Sequence, residues 1–130
     1  MSELLHDNLS ASAAKFPNLP AFRCGGETLC YGELEDQSSR LASLLVASGV
    51  GKGSLVGGRL PTGIRSPIAV YAVLKAGAVM VPIDPLAPAS RVREILNSGH
   101  IRHLITDRMR PAFAKTVFDP SDPMDCVISD

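Results

Sequence analysis

The spacing of apolar residues changes several times along the chain, and each change marks an element. Leu4, Leu5, Leu9 and Ala13 recur at helical intervals with Asn8, Ser10 and Ser12 between them, until Pro17 and Pro20 end the pattern. A short amphipathic helix follows from that spacing. Residues 21–24 and 27–31 then flank Gly25-Gly26, whose glycines accept the positive φ angles of a tight hairpin turn. The register so defined pairs Phe22 with Leu29, sets Cys24 opposite Glu27 and sets Cys30 opposite Ala21. The two cysteines then face different partners on opposite sides of the ribbon, and no Cys24–Cys30 disulfide is expected.

From Tyr31 to Ser48 the period is helical again. Leu34, Leu41, Leu44 and Leu45 share one face, Glu35, Asp36, Ser39 and Arg40 the other, and Gly49 supplies the stop. After the turn Gly51-Lys52-Gly53-Ser54, Leu55 to Leu60 reads as a short strand, which Pro61-Thr62-Gly63 breaks. Ile64 to Ala76 is apolar nearly all round, as a helix covered on several sides should be, and Gly77 closes it. Val79 to Ile83 is a continuous apolar run, the mark of a strand buried on both faces of a parallel sheet, with Pro82 at its end where a missing donor matters least. Ser90 is placed to cap a helix from Arg91 to Asn97, with Val92, Ile95 and Leu96 inward and Gly99 behind it. Ile101 to Thr106 reads as another strand. Beyond Asp107 a weak helical patch near Phe113 to Val117 leads through two Asp-Pro turns to Cys126-Val127-Ile128, a further strand.

The resulting order of strand, helix, strand, helix, strand favours right-handed crossovers onto one sheet. The expected fold class is α/β, a mainly parallel sheet with flanking helices plus an N-terminal β-hairpin. Residues 1–130 are read as a single partial domain, with 108–130 a tail of weaker patterning.

Composition narrows the function classes. The 13 basic and 13 acidic side chains cancel and are interspersed, so the basic patch that a nucleic-acid partner needs is missing. The longest apolar run, Ile68 to Ile83, contains Lys75 and Pro82 and falls short of the roughly 20 residues of a bilayer span. The first residues lack a basic segment leading into an apolar one, so no secretory signal is expected, and three sparse cysteines fit a reducing compartment. The cytoplasm is the expected location.

The motifs with chemical potential resolve into structure. Gly49-Val50-Gly51-Lys52-Gly53-Ser54 invites a phosphate-loop reading, but a Walker loop requires glycine where Val46 stands and Ser or Thr where Gly53 stands, so a helix-to-strand turn is expected. Gly57-Gly58 lacks the third glycine of a dinucleotide fingerprint and is read as a place of close packing. His100 and His103 are separated by an odd number along a strand entrance, which directs them to opposite faces and away from shared metal ligation. Lys75 falls in the last turn of a helix, where it complements the dipole. Asp84 follows a buried strand at its carboxyl end, where ligands bind in open α/β sheets, yet Asp-Pro is also ordinary turn chemistry. No catalytic, cofactor-binding or metal-ligating residue is assigned within the chain.

Two ordered motifs carry a resemblance. The stretch Leu74-Lys75-Ala76-Gly77-Ala78-Val79-Met80-Val81-Pro82-Ile83-Asp84-Pro85 resembles a signature of the adenylate-forming (AMP-binding) superfamily, which includes acyl-CoA synthetases, aryl-acid ligases and nonribosomal peptide synthetase adenylation domains. Upstream, Leu29-Cys30-Tyr31-Gly32-Glu33-Leu34 is similar to the family's Leu-Thr-Tyr-x-Glu-Leu opening, and Gly49 to Val56 is similar to its Gly-x-x-x-Gly-Asp-x-Val turn. The resemblance covers residues 4 to 107 and implies part of the large N-terminal domain of that fold.

It further implies a parent enzyme, an ATP-dependent, AMP-forming ligase in which a carboxylate attacks the α-phosphate of ATP with Mg²⁺ and cationic groups stabilising the charge. The acyl-adenylate would then pass to a phosphopantetheine thiol of a carrier protein or CoA. The family's phosphate loop and C-terminal lysine have no counterpart here, so the chain is expected to be a fragment inactive alone, partnered by the remainder of the enzyme. The alternative is a noncatalytic interaction module of the same fold. Val81 to Pro85, followed by Pro88 and Arg91, resembles amino-acid-activating members more than fatty acyl-CoA ligases. Two positions depart from the pattern. Cys30 stands where threonine would cap the helix through the Glu33 amide, and a thiol is a poorer acceptor. Ser54 replaces the usual aspartate and is expected to weaken its turn.

Overall fold

The computed structural model describes residues 5–106, 116–118 and 128–129, with side chains described for 8–106. The elements are α1 (Leu5–Lys15), β1 (Pro20–Cys24), β2 (Glu27–Cys30), α2 (Tyr31–Ala47), β3 (Leu55–Arg59), α3 (Arg65–Lys75), β4 (Val79–Pro82), α4 (Ala89–Ser98), β5 (His103–Thr106), β6 (Thr116–Phe118) and β7 (Ile128–Ser129). β1 and β2 form a separate antiparallel ribbon. The main sheet runs β4-β3-β5-β6-β7, parallel from β4 through β6, with β7 antiparallel to β6. The α/β alternation and the mainly parallel sheet expected from the sequence are thus present.

Alternation along the strands divides the core in two. Val56 and Ile105 point to α2 and α3, joining Leu34, Leu41, Leu45, Ile68, Ala72 and Val73 in the larger cluster. Leu104 points the other way, to Val92 and Leu96 of α4, with Ile83 and Ile101 completing a smaller cluster. Leu41 and Leu45 are fully buried, and burial of each such side chain contributes about 1.5–3 kcal/mol. Gly57 has a spatial reason to lack a side chain. A Cβ there would lie 3.1 Å from Leu104 Cδ1, 3.2 Å from Ile83 Cδ1 and 3.3 Å from Leu96 Cδ2, so glycine lets α4 settle onto the sheet.

Several expectations require correction. Cys30 pairs with Pro20 rather than Ala21, because a register irregularity between Pro20 and Phe22 displaces Ala21 from the ladder. Val79 to Ile83 is not buried on both faces. β4 ends the sheet, leaving Val79 52% exposed and only Ile83, just past the strand, buried. α4 begins at Ala89 with Pro88, not Ser90, as its cap, since extended Pro88 cannot continue a helix backward. At its other end Gly99 stays right-handed, and His100 takes the left-handed turn at φ 54°. α3 is covered less completely than its composition implied, with Val70 exposed. In the expected helical patch Phe113 to Val117, Thr116 and Val117 belong to β6, while 113–115 lie outside the described residues, as do Cys126 and Val127 of the expected last strand.

Candidate functional site

The hairpin and α2 meet at Cys30, the N-cap residue of α2. Its backbone N–H donates to Glu33 Oε1 at 3.0 Å, and the thiol occupies the reciprocal position of the capping box toward the Glu33 amide. Burial pushes the Cys30 thiol pKa up; hydrogen bonding to Glu33 and its negative charge add to this, with Arg23 opposing. A thiol so placed is a weak nucleophile.

Lys75 does more than complement the α3 dipole. Its Nζ donates to Glu35 Oε1, to Ser39 Oγ at 2.7 Å and to the Glu35 carbonyl at 3.2 Å, bolting α3 to α2. Glu35, read from sequence as part of the polar outer face, therefore turns into the helix–helix seam. Asp36 and Arg40 do face outward, as an exposed pair at 3.2 Å. Burial alone would raise the Glu35 pKa, but hydrogen bonds from Lys75, Ser10 and Ser39 and the lysine charge outweigh it and hold the carboxyl below its ordinary value.

The Gly51–Ser54 turn spends its polar groups internally. Gly51 N–H donates to Ser54 Oγ and Ser54 N–H to Gly51 O, each at 3.0 Å, while Gly53 N–H reaches Gly77 O at 3.0 Å and Ser54 O accepts from Val79 at 2.8 Å. These amides are therefore not offered to a phosphate. Ser54, which stands in place of the usual aspartate, closes the turn through its Oγ. At the same end of the sheet, His100 and His103 line one cleft of about 320 Å³ with Ser48, Gly49, Ser54, Leu55 and Arg102. The expectation of opposite faces fails because the strand begins only at His103, so two-residue alternation does not reach His100. His103 Nε2 lies 3.2 Å from Ser48 O. Among the described residues no three His, Cys, Asp or Glu side chains converge as a metal site.

At the opposite, carboxyl end of the strands, Asp84 Oδ1 accepts from the Leu86 amide at 2.9 Å, the turn chemistry of Asp-Pro. Arg59 and Thr106, singled out by nothing in the sequence, stand side by side there as register partners of β3 and β5.

The model of the family described as AMP-binding enzyme matches residues 9–130. Tyrocidine synthase 2 of Brevibacillus parabrevis is 33% identical over 126 residues, which are 97% of this chain and 4% of that protein. Phosphinothricin tripeptide synthetase of Streptomyces viridochromogenes is 39% identical over 104 residues, 80% of this chain and 10% of that protein. Among solved structures, the nonribosomal peptide synthetase FmoA3 superposes with a TM-score of 0.87 at 28% identity, covering 100% of this chain and 15% of that one. The Klebsiella oxytoca NpsA N-terminal subdomain, in complex with 3-hydroxybenzoyl-AMSN, superposes with a TM-score of 0.78 at 28% identity over 96% of this chain and 32% of that one. The chain spans only a minor part of each of these proteins.

Proposed function

Because the chain belongs to the AMP-binding enzyme family, we propose that it is the leading portion of an adenylation domain and acts there as scaffold for chemistry carried by other residues. The observation that carries this reading is the pairing of a family match over residues 9–130 with polar groups already committed to turns, caps and helix seams. Residues 1–130 form one partial domain in this view. Four parallel strands and their crossover helices present a rigid sheet, and the apolar edge strand β4, with Val79 and the nearby Leu86 exposed, offers a surface for further polypeptide.

The parent enzyme, in this reading, joins a carboxylic acid of the amino-acid class to AMP with ATP and Mg²⁺, releases pyrophosphate, and passes the acyl group to the thiol of a phosphopantetheine on a carrier protein or CoA. Likeness to FmoA3, one structure of which holds α-methyl-L-serine-AMP, supports the amino-acid class. ATP supplies the activating phosphoanhydride; this chain supplies position. Cys24 and Cys30, both free among the described residues, suit a cytoplasmic setting, and no helix among those residues is long and apolar enough to cross a membrane.

ATP–pyrophosphate exchange tests the assignment of chemistry to other residues. The 130-residue chain, shown folded by circular dichroism, is expected to give no exchange with any of the twenty amino acids or with aryl acids. Exchange dependent on one acid would overturn the scaffold reading.

A further inference from the structure

Two polar residues on neighbouring strands at the carboxyl end of the sheet each keep a buried polar atom without a hydrogen-bond partner among the described residues. Arg59 and Thr106 are register partners, two positions beyond Gly57 and Leu104, so both project from the face covered by α4. Thr106 is 1% exposed, yet its Oγ1 has no hydrogen-bond partner among the described residues. Arg59 Nη2 donates to Ala87 O at 3.1 Å, which holds the guanidinium against the loop entering α4, while its Nε is buried and unpartnered. The positive end of the α4 dipole lies beside them. Pro88 gives it no side-chain cap, and its first turn contains no acid. A buried hydroxyl and a buried N–H left unpaired side by side are costly, and an anion accepting from both removes that cost.

We propose that Arg59 Nε and Thr106 Oγ1 form a two-donor site for a single carboxylate, between the ends of β3 and β5 and the start of α4. Two donors match the two oxygens of a carboxylate, and one guanidinium balances its one charge. A phosphate dianion brings more charge and more acceptors than these groups satisfy. Asp84, at the same end of the sheet, keeps Oδ1 on the Leu86 amide. The carboxylate comes from a small free acid or from an Asp or Glu side chain of polypeptide packed over this end. The site is independent of the adenylation reading and stands or falls without it.

Titration of the isotope-labelled 130-residue chain with sodium acetate, at ionic strength held constant with chloride, reads the site by NMR. Saturable shifts are expected at the Arg59 Nε–H and at the amides of Ala89 and Ser90, weakened roughly tenfold or more in Thr106→Val and in Arg59→Lys. Both variants preserve volume, and the dispersion of their spectra reports folding. Saturation below about 10 mM identifies a free acid as occupant, whereas saturation only above about 100 mM identifies a tethered side chain whose effective concentration supplies the rest. Shifts that do not saturate, or that persist unchanged in both variants, overturn the proposal and leave buried water as the partner of the two groups.

Discussion

Replacing Lys75 by methionine would unbolt α3 from α2 while keeping most of the aliphatic stem that packs between them. In the native protein the Lys75 side chain is 11% exposed and that of Glu35 25%, so the ion pair is neither a surface pair nor a deep one. Exposed pairs contribute up to about 1 kcal/mol, and removing one partner of a fully buried pair costs about 3–5 kcal/mol. An intermediate loss of about 2 kcal/mol at pH 7 is expected, against a total of about 5–15 kcal/mol for an ordinary domain. The loss depends on pH in a defined direction. Native Glu35 has a lowered pKa, so its contribution is complete above the unfolded value of about 4.3 and disappears as pH falls through the lower folded value. In the variant the lysine's hydrogen bond and charge no longer lower it, so the folded pKa of Glu35 rises above its native value. Protonation then relieves the stranded carboxylate, and the stability gap between the two proteins narrows as pH is lowered toward about 4. Urea denaturation of Lys75→Met, Glu35→Gln and the double variant at pH 7 and pH 4 measures both effects. The double variant should lose less than the sum of the singles by about 1 kcal/mol. A loss below about 0.5 kcal/mol at pH 7, or a gap that widens in acid, would refute the account.

Cys30→Thr should raise the melting temperature by about 2–4 °C, because a hydroxyl completes the cap that the thiol fills poorly; calorimetry showing a level or lower value counts against it. Cys30 should react with iodoacetamide more slowly at pH 7.5 than an unperturbed thiol, and Glu33→Gln should accelerate it by removing two of the influences that raise its pKa. Gly57→Val should destabilise by about 2–3 kcal/mol in chemical denaturation, since Leu104, Ile83 and Leu96 already crowd the position. Leu41→Ala, at a fully buried site between α2 and its neighbours, should cost about 2–5 kcal/mol by the same measurement.

Local rules were enough for much of this fold. The Gly25-Gly26 turn, with φ of 57° and 84°, sets Cys24 against Glu27 as its spacing requires, and the apolar stripe of α2 buries Leu34, Leu41 and Leu45. What escaped depends on neighbours remote in the chain. An apolar run such as Val79 to Ile83 looks the same at the centre of a sheet and at its edge, because position in the sheet is a property of topology. Pro88 displaced Ser90 as the start of α4 because the extended backbone of a proline ends a helix whatever polar residue follows it. The Lys75–Glu35 tie joins residues 40 apart, and a charged residue on a helix looks the same whether it meets water or another helix. Arg59 and Thr106 are adjacent only through the pairing of β3 with β5. Neither belongs to a motif, and only their unpartnered atoms distinguish them. In the candidate sites visible as motifs, Gly51–Ser54 and Asp84, the fold in turn uses Ser54 Oγ and Asp84 Oδ1 to close turns.

The central position of β3 has a kinetic meaning. Both strands that flank it, β4 and β5, come later in the sequence, so during synthesis β3 leaves the ribosome before either partner exists. The β1–β2 ribbon and α2 can form at once from local contacts, on microsecond timescales, while β3 must wait for a crossover to return. An early-emerging central strand is normally an aggregation hazard, since it shows two unpaired edges. Here Gly57 and Gly58 at its middle give it little side-chain surface and a flexible backbone, which makes it a poor template for the wrong partner. Gly57, which lets α4 approach closely, and Gly58, which leaves room for Met80 on the other face, thus keep the nascent strand uncommitted until its own neighbours arrive.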